Sequence, residues 1–150
     1  VVAESWAAHR KLLASHEGQF DPRVAQRMRR GEAVSAADYI DLVRARADWI
    51  IRCNQCLAGF DAAVSPTVPF VAPPLQPLID DSALFFRTNA LLLRNPSVVN
   101  FFDGCALSLP CHAPHQLPVG LMLWAGAGHD DRVLSAGLAI EHALLAVTVG

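Results

Sequence analysis

NPSVVNFFDGCALSLPCHAPHQLPVGLMLW, running from Asn95 to Trp124, is the stretch that decides the fold. It holds two short apolar runs, Cys105 to Leu109 and Val119 to Trp124, and neither contains a charged residue. Uncharged apolar runs of this length, framed by turn residues, read as strands buried on both faces. The connection from Pro110 to Pro118 carries three prolines and no helical period, so the second strand is expected to return antiparallel. Two strands expose two edges of unpaired backbone groups. The chain offers only one other candidate strand, about Ala62 to Ser65, and this shortage of partners implies membership of a larger sheet.

Composition sets the class. Hydrophobic residues make up 53% of the 150 and charged residues 17%, a low share for a fully solvated monomer, so apolar surface is expected to await a partner. A net charge of -2 excludes a general attraction to nucleic acid or to an acidic membrane. Eleven of the twelve basic residues are arginines, Lys11 being the one lysine, which with the abundant alanine suggests a GC-rich bacterial genome. Four cysteines, no secretory apolar region and no long apolar run fit a cytoplasmic protein with reduced thiols. The chain lacks an initiator Met and begins inside a helical pattern, so further sequence is expected upstream.

Outward from the strands, the remaining chain reads mostly as helix. Val1 to about His16 has Val2, Trp6 and Leu13 at helical spacing, with Gly18 beyond its end. Asp21-Pro22 supplies an N-cap and an N1 proline for a short helix through Met28 that stops at Gly31. Ser35 to Asp38 forms a capping box with Asp in the Glu position, opening a helix to about Ala58 and Gly59 with a stripe of Tyr39, Val43, Ala47, Ile50 and Leu57. Pro66 to Pro77 then packs five prolines into twelve residues without a charge; such a loop is neither helix nor central strand and is expected to lie against a surface or pocket. Asp80 or Asp81 caps a helix, about Ser82 to Leu93, which Asn95-Pro96 is expected to break. After the strands, Asp130 caps a last helix to about Val147 with Val133, Gly137, Ile140, Leu144 and Val147 on one face.

Several patterns carry potential chemistry. Cys53 and Cys56 form a C-x2-C pair, and Cys111-His112 with His115 makes a second group, so a small zinc domain built on Cys53, Cys56, Cys111 and His112 is one reading. Against it, the first pair falls inside an amphipathic helix, and the expectation is buried or half-buried free thiols with no metal and no cofactor. The same pair sits near a helix C-terminus, whereas a redox pair needs an N-terminus. Gly126-Ala127-Gly128 follows a strand, but Asp131 stands where a dinucleotide fingerprint needs its third glycine. No G-x-S-x-G turn and no Gly/Ser-rich loop is present, and a triad of Ser65, His112 and Asp103 would require a chance of folding.

Four stretches together resemble the C-terminal part of the amidase signature family: Phe60 to Pro69 (FDAAVSPTVP), Leu93-Arg94-Asn95-Pro96 with Asn100, Ala106 to Cys111 (ALSLPC), and Leu117-Pro118-Val119-Gly120-Leu121. Their order and spacing match from about Ala33 to about Leu145. The resemblance implies an α/β fold with a large mixed β-sheet covered by helices, and hydrolysis of a carboxamide through an acyl-serine intermediate. In that family the serine nucleophile, the cis-serine, the lysine base and the oxyanion loop belong to the N-terminal half, so no catalytic residue is assigned in this chain. Residues 1–150 are then expected to form the C-terminal portion of one amidase domain, 1–59 as helical cover and 60–150 as strands, proline-rich loop and closing helices. Substrate contacts are expected from a channel wall at Thr67, Phe70, Asn95 and Asp103. The expected partners are a small amide substrate, the N-terminal part of the same polypeptide and further copies of the chain, with neither nucleic acid nor membrane among them. Asn95-Pro96, where threonine is common, and Asp103-Gly104-Cys105, where Gly-Leu-Pro is usual, depart from the family pattern. A truncated, non-catalytic module of the same fold is the alternative reading.

Overall fold

The computed structural model describes residues 2–148, with side chains described as far as Leu145. Two compact units divide the chain between Asp48 and Trp49. The first contains α1 (Val2–His16), α2 (Pro22–Arg29) and the start of α3 (Ala36–Leu57). The Asp21 carboxylate accepts from the N–H groups of Arg23 and Val24 at 2.8 and 3.3 Å, satisfying two donors that the first turn of α2 leaves unbonded. Ser35 and Asp38 close their box reciprocally: the Asp38 N–H donates to Ser35 Oγ at 3.0 Å, and the Ser35 hydroxyl donates to the Asp38 carboxylate at 2.7 Å. Leu13 and Ala25 are buried between these elements. Gly31 is required there, because a Cβ would run into the Val2 carbonyl and the Trp6 side chain.

The second unit is built on three strands, β1 (Ala63–Pro66), β2 (Cys105–Pro110) and β3 (Gly120–Ala125), in the order β1-β3-β2, with both pairs antiparallel. The antiparallel return of β3 on β2 is the one that the proline-rich connection dictates. Register places Cys105, Leu107 and Leu109 beside Ala125, Leu123 and Leu121 on one face. The helix α6 (Asp130–Thr148) covers this face with Val133, Ala136 and Ile140, and Gly137 lets it approach Leu107 so closely that any Cβ would collide. Leu123, fully buried, is the centre of that cluster. The side chain of Val147, last in the expected stripe, lies outside the described residues.

On the opposite face Trp124 meets Phe102 edge to face, ring centroids 6.0 Å apart, and Phe102 in turn meets Trp49 of α3 at 6.0 Å. This aromatic chain, not an aliphatic stripe, seats the end of α5 on the sheet. Among the described residues only β3 is enclosed on both sides. In β2 the outward residues Ala106, Ser108 and Pro110 are exposed, which corrects the expectation of double burial for that strand. Likewise Val43 and Ala47 of the α3 stripe are exposed, and α3 holds no buried residue.

A short α4 (Leu75–Asp80) leads into α5, which runs unbroken from Ser82 to Phe102. The expected break at Asn95-Pro96 does not occur. Pro96 removes one helical N–H, but Leu92, whose carbonyl would have accepted it, is 41% exposed and so within reach of water. The helix ends instead at Asp103, left-handed at φ 62 and ψ 30. There the Asp103 N–H donates to Asn100 O and the Gly104 N–H to Val99 O, a Schellman ending in which Asp occupies the position usually given to Gly.

Truncating Leu123 to Ala is expected to cost about 2–5 kcal/mol, because the cavity would lie where strand and helix both press on it; the shift of the urea midpoint measures this. The Asp81 carboxyl, accepting from the Leu84 and Ala83 N–H groups, is held below the usual carboxylate range by the Leu84 bond first, with burial opposing and the Ala83 bond then reinforcing it. Its contribution at the start of α5 is therefore present above the unfolded carboxyl pKa and lost as pH falls through the lowered folded one. Replacement by Asn is expected to flatten that acid-side loss, read as thermal midpoint against pH.

Candidate functional site

The register of the sheet assembles a row of hydroxyls on the face opposite α6. Ser65 and Ser108 flank Met122 across the three strands, and one step further Thr67 continues β1 through its N–H, which donates to Gly120 O at 2.8 Å. The Thr67 and Ser108 hydroxyls meet 2.5 Å apart, reaching across Gly120. They can do so only because residue 120 has no side chain: a Cβ there would stand 2.6 Å from Thr67 Oγ1 and 2.7 Å from Ser108 Oγ. Thr67 is half-buried and Ser108 exposed, so the pair is open to a ligand approaching this face. Thr67 also begins the proline-rich segment, in which Phe70 is half-buried.

Asn95 joins this site from α5 rather than from a turn. Its side-chain N–H donates to Pro66 O at 2.7 Å, while its side-chain oxygen accepts from the Arg94 side chain at 3.2 Å. Both ends of the amide are thus engaged within the protein. Asn100 lies in the last turn of the same helix.

Asp103 is elsewhere. It precedes Cys105, which pairs with Ala125, whereas Thr67 meets Gly120 at the other end of β3. Six residues of strand separate the two ends, roughly 17–20 Å. Asp103 lines an open cleft of about 410 Å³ with Asn54, Asp61, His129 and Arg132. Two carboxylates, an imidazole and a guanidinium share this cleft, but Asp61, Asp103 and Arg132 are exposed and screened by solvent.

The other candidate constellations do not assemble. Cys53 and Cys56 lie near the end of α3, whose Asn54 closes on Gly126, while Cys111 and His112 follow Pro110 at the far end of β2. Among the described residues no three metal-ligating side chains converge. Burial, and then the neighbouring Cys56, pushes the Cys53 thiol up, away from the thiolate that redox or nucleophilic chemistry needs. His112 Nδ1 accepts from the Val119 N–H at 3.4 Å and so holds the hairpin, remote from Asp103. Ser15 Oγ is 2.7 Å from His16 Nδ1, yet both sit exposed at the end of α1, and the hydroxyl also reaches the carbonyls of Lys11 and Leu12. Nothing there resembles a base oriented by a third group.

Ser108 and Gly120 are the members that residue patterns alone pass over. A polar residue alternating with Leu107 and Leu109 is the available signal for Ser108, since period two places it on the opposite face. For Gly120 the signal is a glycine opening an apolar run.

Comparison with known proteins places these features in one family. The Amidase family model matches residues 4–134. A glutamyl-tRNA(Gln) amidotransferase subunit of Salinispora arenicola is 31% identical over 138 residues, covering 89% of this chain and 27% of the relative. The 2-amino-5-chloromuconic acid deaminase of Comamonas testosteroni is also 31% identical over 138 residues, covering 85% of this chain and 29% of that enzyme. The chain therefore spans little more than a quarter of the length of either relative. A crystal structure of an amidase superposes on 95% of the chain, and 33% of its own, with a TM-score of 0.75 at 27% identity. The urea amidolyase of K. lactis does so on 98%, and 9% of its own, with a TM-score of 0.80 at 25% identity. With a match that runs through the proline-rich loop and all three strands, on a backbone that superposes on a solved amidase, the chain belongs to the amidase family.

Proposed function

We propose that this chain completes the sheet and forms one wall of the substrate channel in an amide hydrolase that works through an acyl-serine intermediate. Its nucleophile and lysine base lie on sequence outside residues 1–150. Residues 1–59 act as helical cover and residues 60–150 as strands, wall and closing helices of one amidase domain. The observation that carries this reading is a family match over residues 4–134 on a sheet whose β1 and β2 each pair on one side alone among the described residues. An edge strand is a template for further pairing, and the remaining length of the relatives is ample to supply it.

Thr67 and Phe70 are the substrate contacts of this wall, one offering a hydroxyl and the other an apolar face. Asn95 supports them through Pro66. Asp103, at the opposite end of the sheet, sets the polarity of a second part of the wall. The small amide enters between this wall and the reactive groups, and the chemistry needs no cofactor.

Ammonia release from primary amides tests the reading. A polypeptide that also carries the rest of an amidase domain is expected to turn over, and residues 1–150 alone are not. Turnover by the isolated chain that disappears in Ser65→Ala or Ser108→Ala would sink the proposal. The isolated chain is also expected to self-associate, since Val64 is 60% exposed on a sheet face and Leu134, Leu138 and Leu145 are 57%, 55% and 60% exposed along α6. A monodisperse monomer in dilute solution, seen by sedimentation, would count against that.

A further inference from the structure

We propose that Ser108, Asn95 and Gly120 form a clamp that fixes the Thr67 hydroxyl on the channel wall, Ser108 and Asn95 acting as positioning residues for recognition of a primary carboxamide. The inference rests on the wall reading above and assigns the residues that make the wall specific.

The need for a clamp follows from the loop itself. Between β1 and α4, prolines at 69, 73 and 74 remove three backbone N–H donors, so the loop forms no ladder of its own. Three bonds hold its root. Asn95 donates to the Pro66 carbonyl at 2.7 Å, the Thr67 N–H donates to Gly120 O at 2.8 Å, and the Thr67 and Ser108 hydroxyls lie 2.5 Å apart. They arrive from three different elements, α5, β3 and β2, and converge on two consecutive residues. Gly120 is the gap through which the hydroxyls meet.

The hydroxyl pair also defines the ligand. When Ser108 donates to Thr67, the Thr67 proton is left to donate to a carbonyl oxygen. When Thr67 donates to Ser108, its lone pairs are left to accept an N–H. A hydroxyl locked in place with either polarity available suits a group that presents both a C=O and an N–H, which is a carboxamide. An unclamped threonine would divide its time among rotamers and lose this direction.

Steady-state kinetics of the complete enzyme on a primary carboxamide test the clamp. Thr67→Val and Ser108→Ala are each expected to raise KM about five- to tenfold with kcat within about twofold, the effect of one neutral hydrogen bond. The double variant is expected to be no worse than Thr67→Val alone, Ser108→Thr to restore the wild-type KM, and Asn95→Asp to raise KM in the same way. The thermal midpoint of Ser108→Ala should stay at the wild-type value, because Ser108 is exposed. A silent Ser108→Ala beside an impaired Thr67→Val would overturn the clamp and leave Thr67 as a wall residue. Silence of both would overturn the wall reading as well. Additive effects in the double variant, or a fall in thermal midpoint that accounts for the loss, would show that Ser108 does not act through Thr67.

Discussion

The double pairing of β3 is the constraint from which the rest of the second unit follows. Gly120–Ala125 is bonded to β1 on one side and to β2 on the other, and it carries buried residues on both faces. Once that register is set, every second residue is committed. Leu121, Leu123 and Ala125 must be met by α6, and Trp124 by the aromatic end of α5. A slip of one residue would exchange these sets and bring Ser108 under α6, so the hydroxyl row exists only because the apolar face is strongly specified. The hydroxyl row and the packing are therefore set by the same six residues, in alternation.

How much of this is legible in the sequence depends on how far apart the interacting residues lie. Local signals read true: Asp21-Pro22 and Ser35 to Asp38 each contain both partners of their bonds within a few residues, and the helices begin where these caps require. The strands are recognisable from their lack of charge, and the family resemblance from motifs in order. Pro96 misleads because the rule for proline is also local, whereas the continuity of α5 is decided by what its two ends do. Asp81 caps one end, and Phe102 is pinned between Trp49 and Trp124 at the other. These two anchors offset the cost of a proline inside the helix, about 3 kcal/mol.

The site is legible in part for the same reason. Thr67 stands out through the motif around it, but Ser108 is 41 residues away and Asn95 bonds to a carbonyl 29 residues away. No periodicity connects positions so distant. Asn95 also shows why residue type alone is ambiguous: an asparagine before a proline reads as turn chemistry, yet here it is a helical side chain used as a strut. Asp103 differs again. It stands out by its departure from the family pattern, and the structure gives it the left-handed helix ending at the opposite end of the sheet, a role that a short polar side chain tolerates better than most.

The distribution of apolar surface ties these points to the proposed role. Among the described residues only nine hydrophobic side chains form the core, while Ile40, Val43 and Ile51 of α3, and Leu134 and Leu138 of α6, remain between 48% and 57% exposed. Fully burying a side chain of this size is worth about 1.5–3 kcal/mol and these are already half covered, so completing the burial of all five would add roughly 4–8 kcal/mol. The bonds around Thr67 do not depend on such covering, since they come from elements that the central strand already holds.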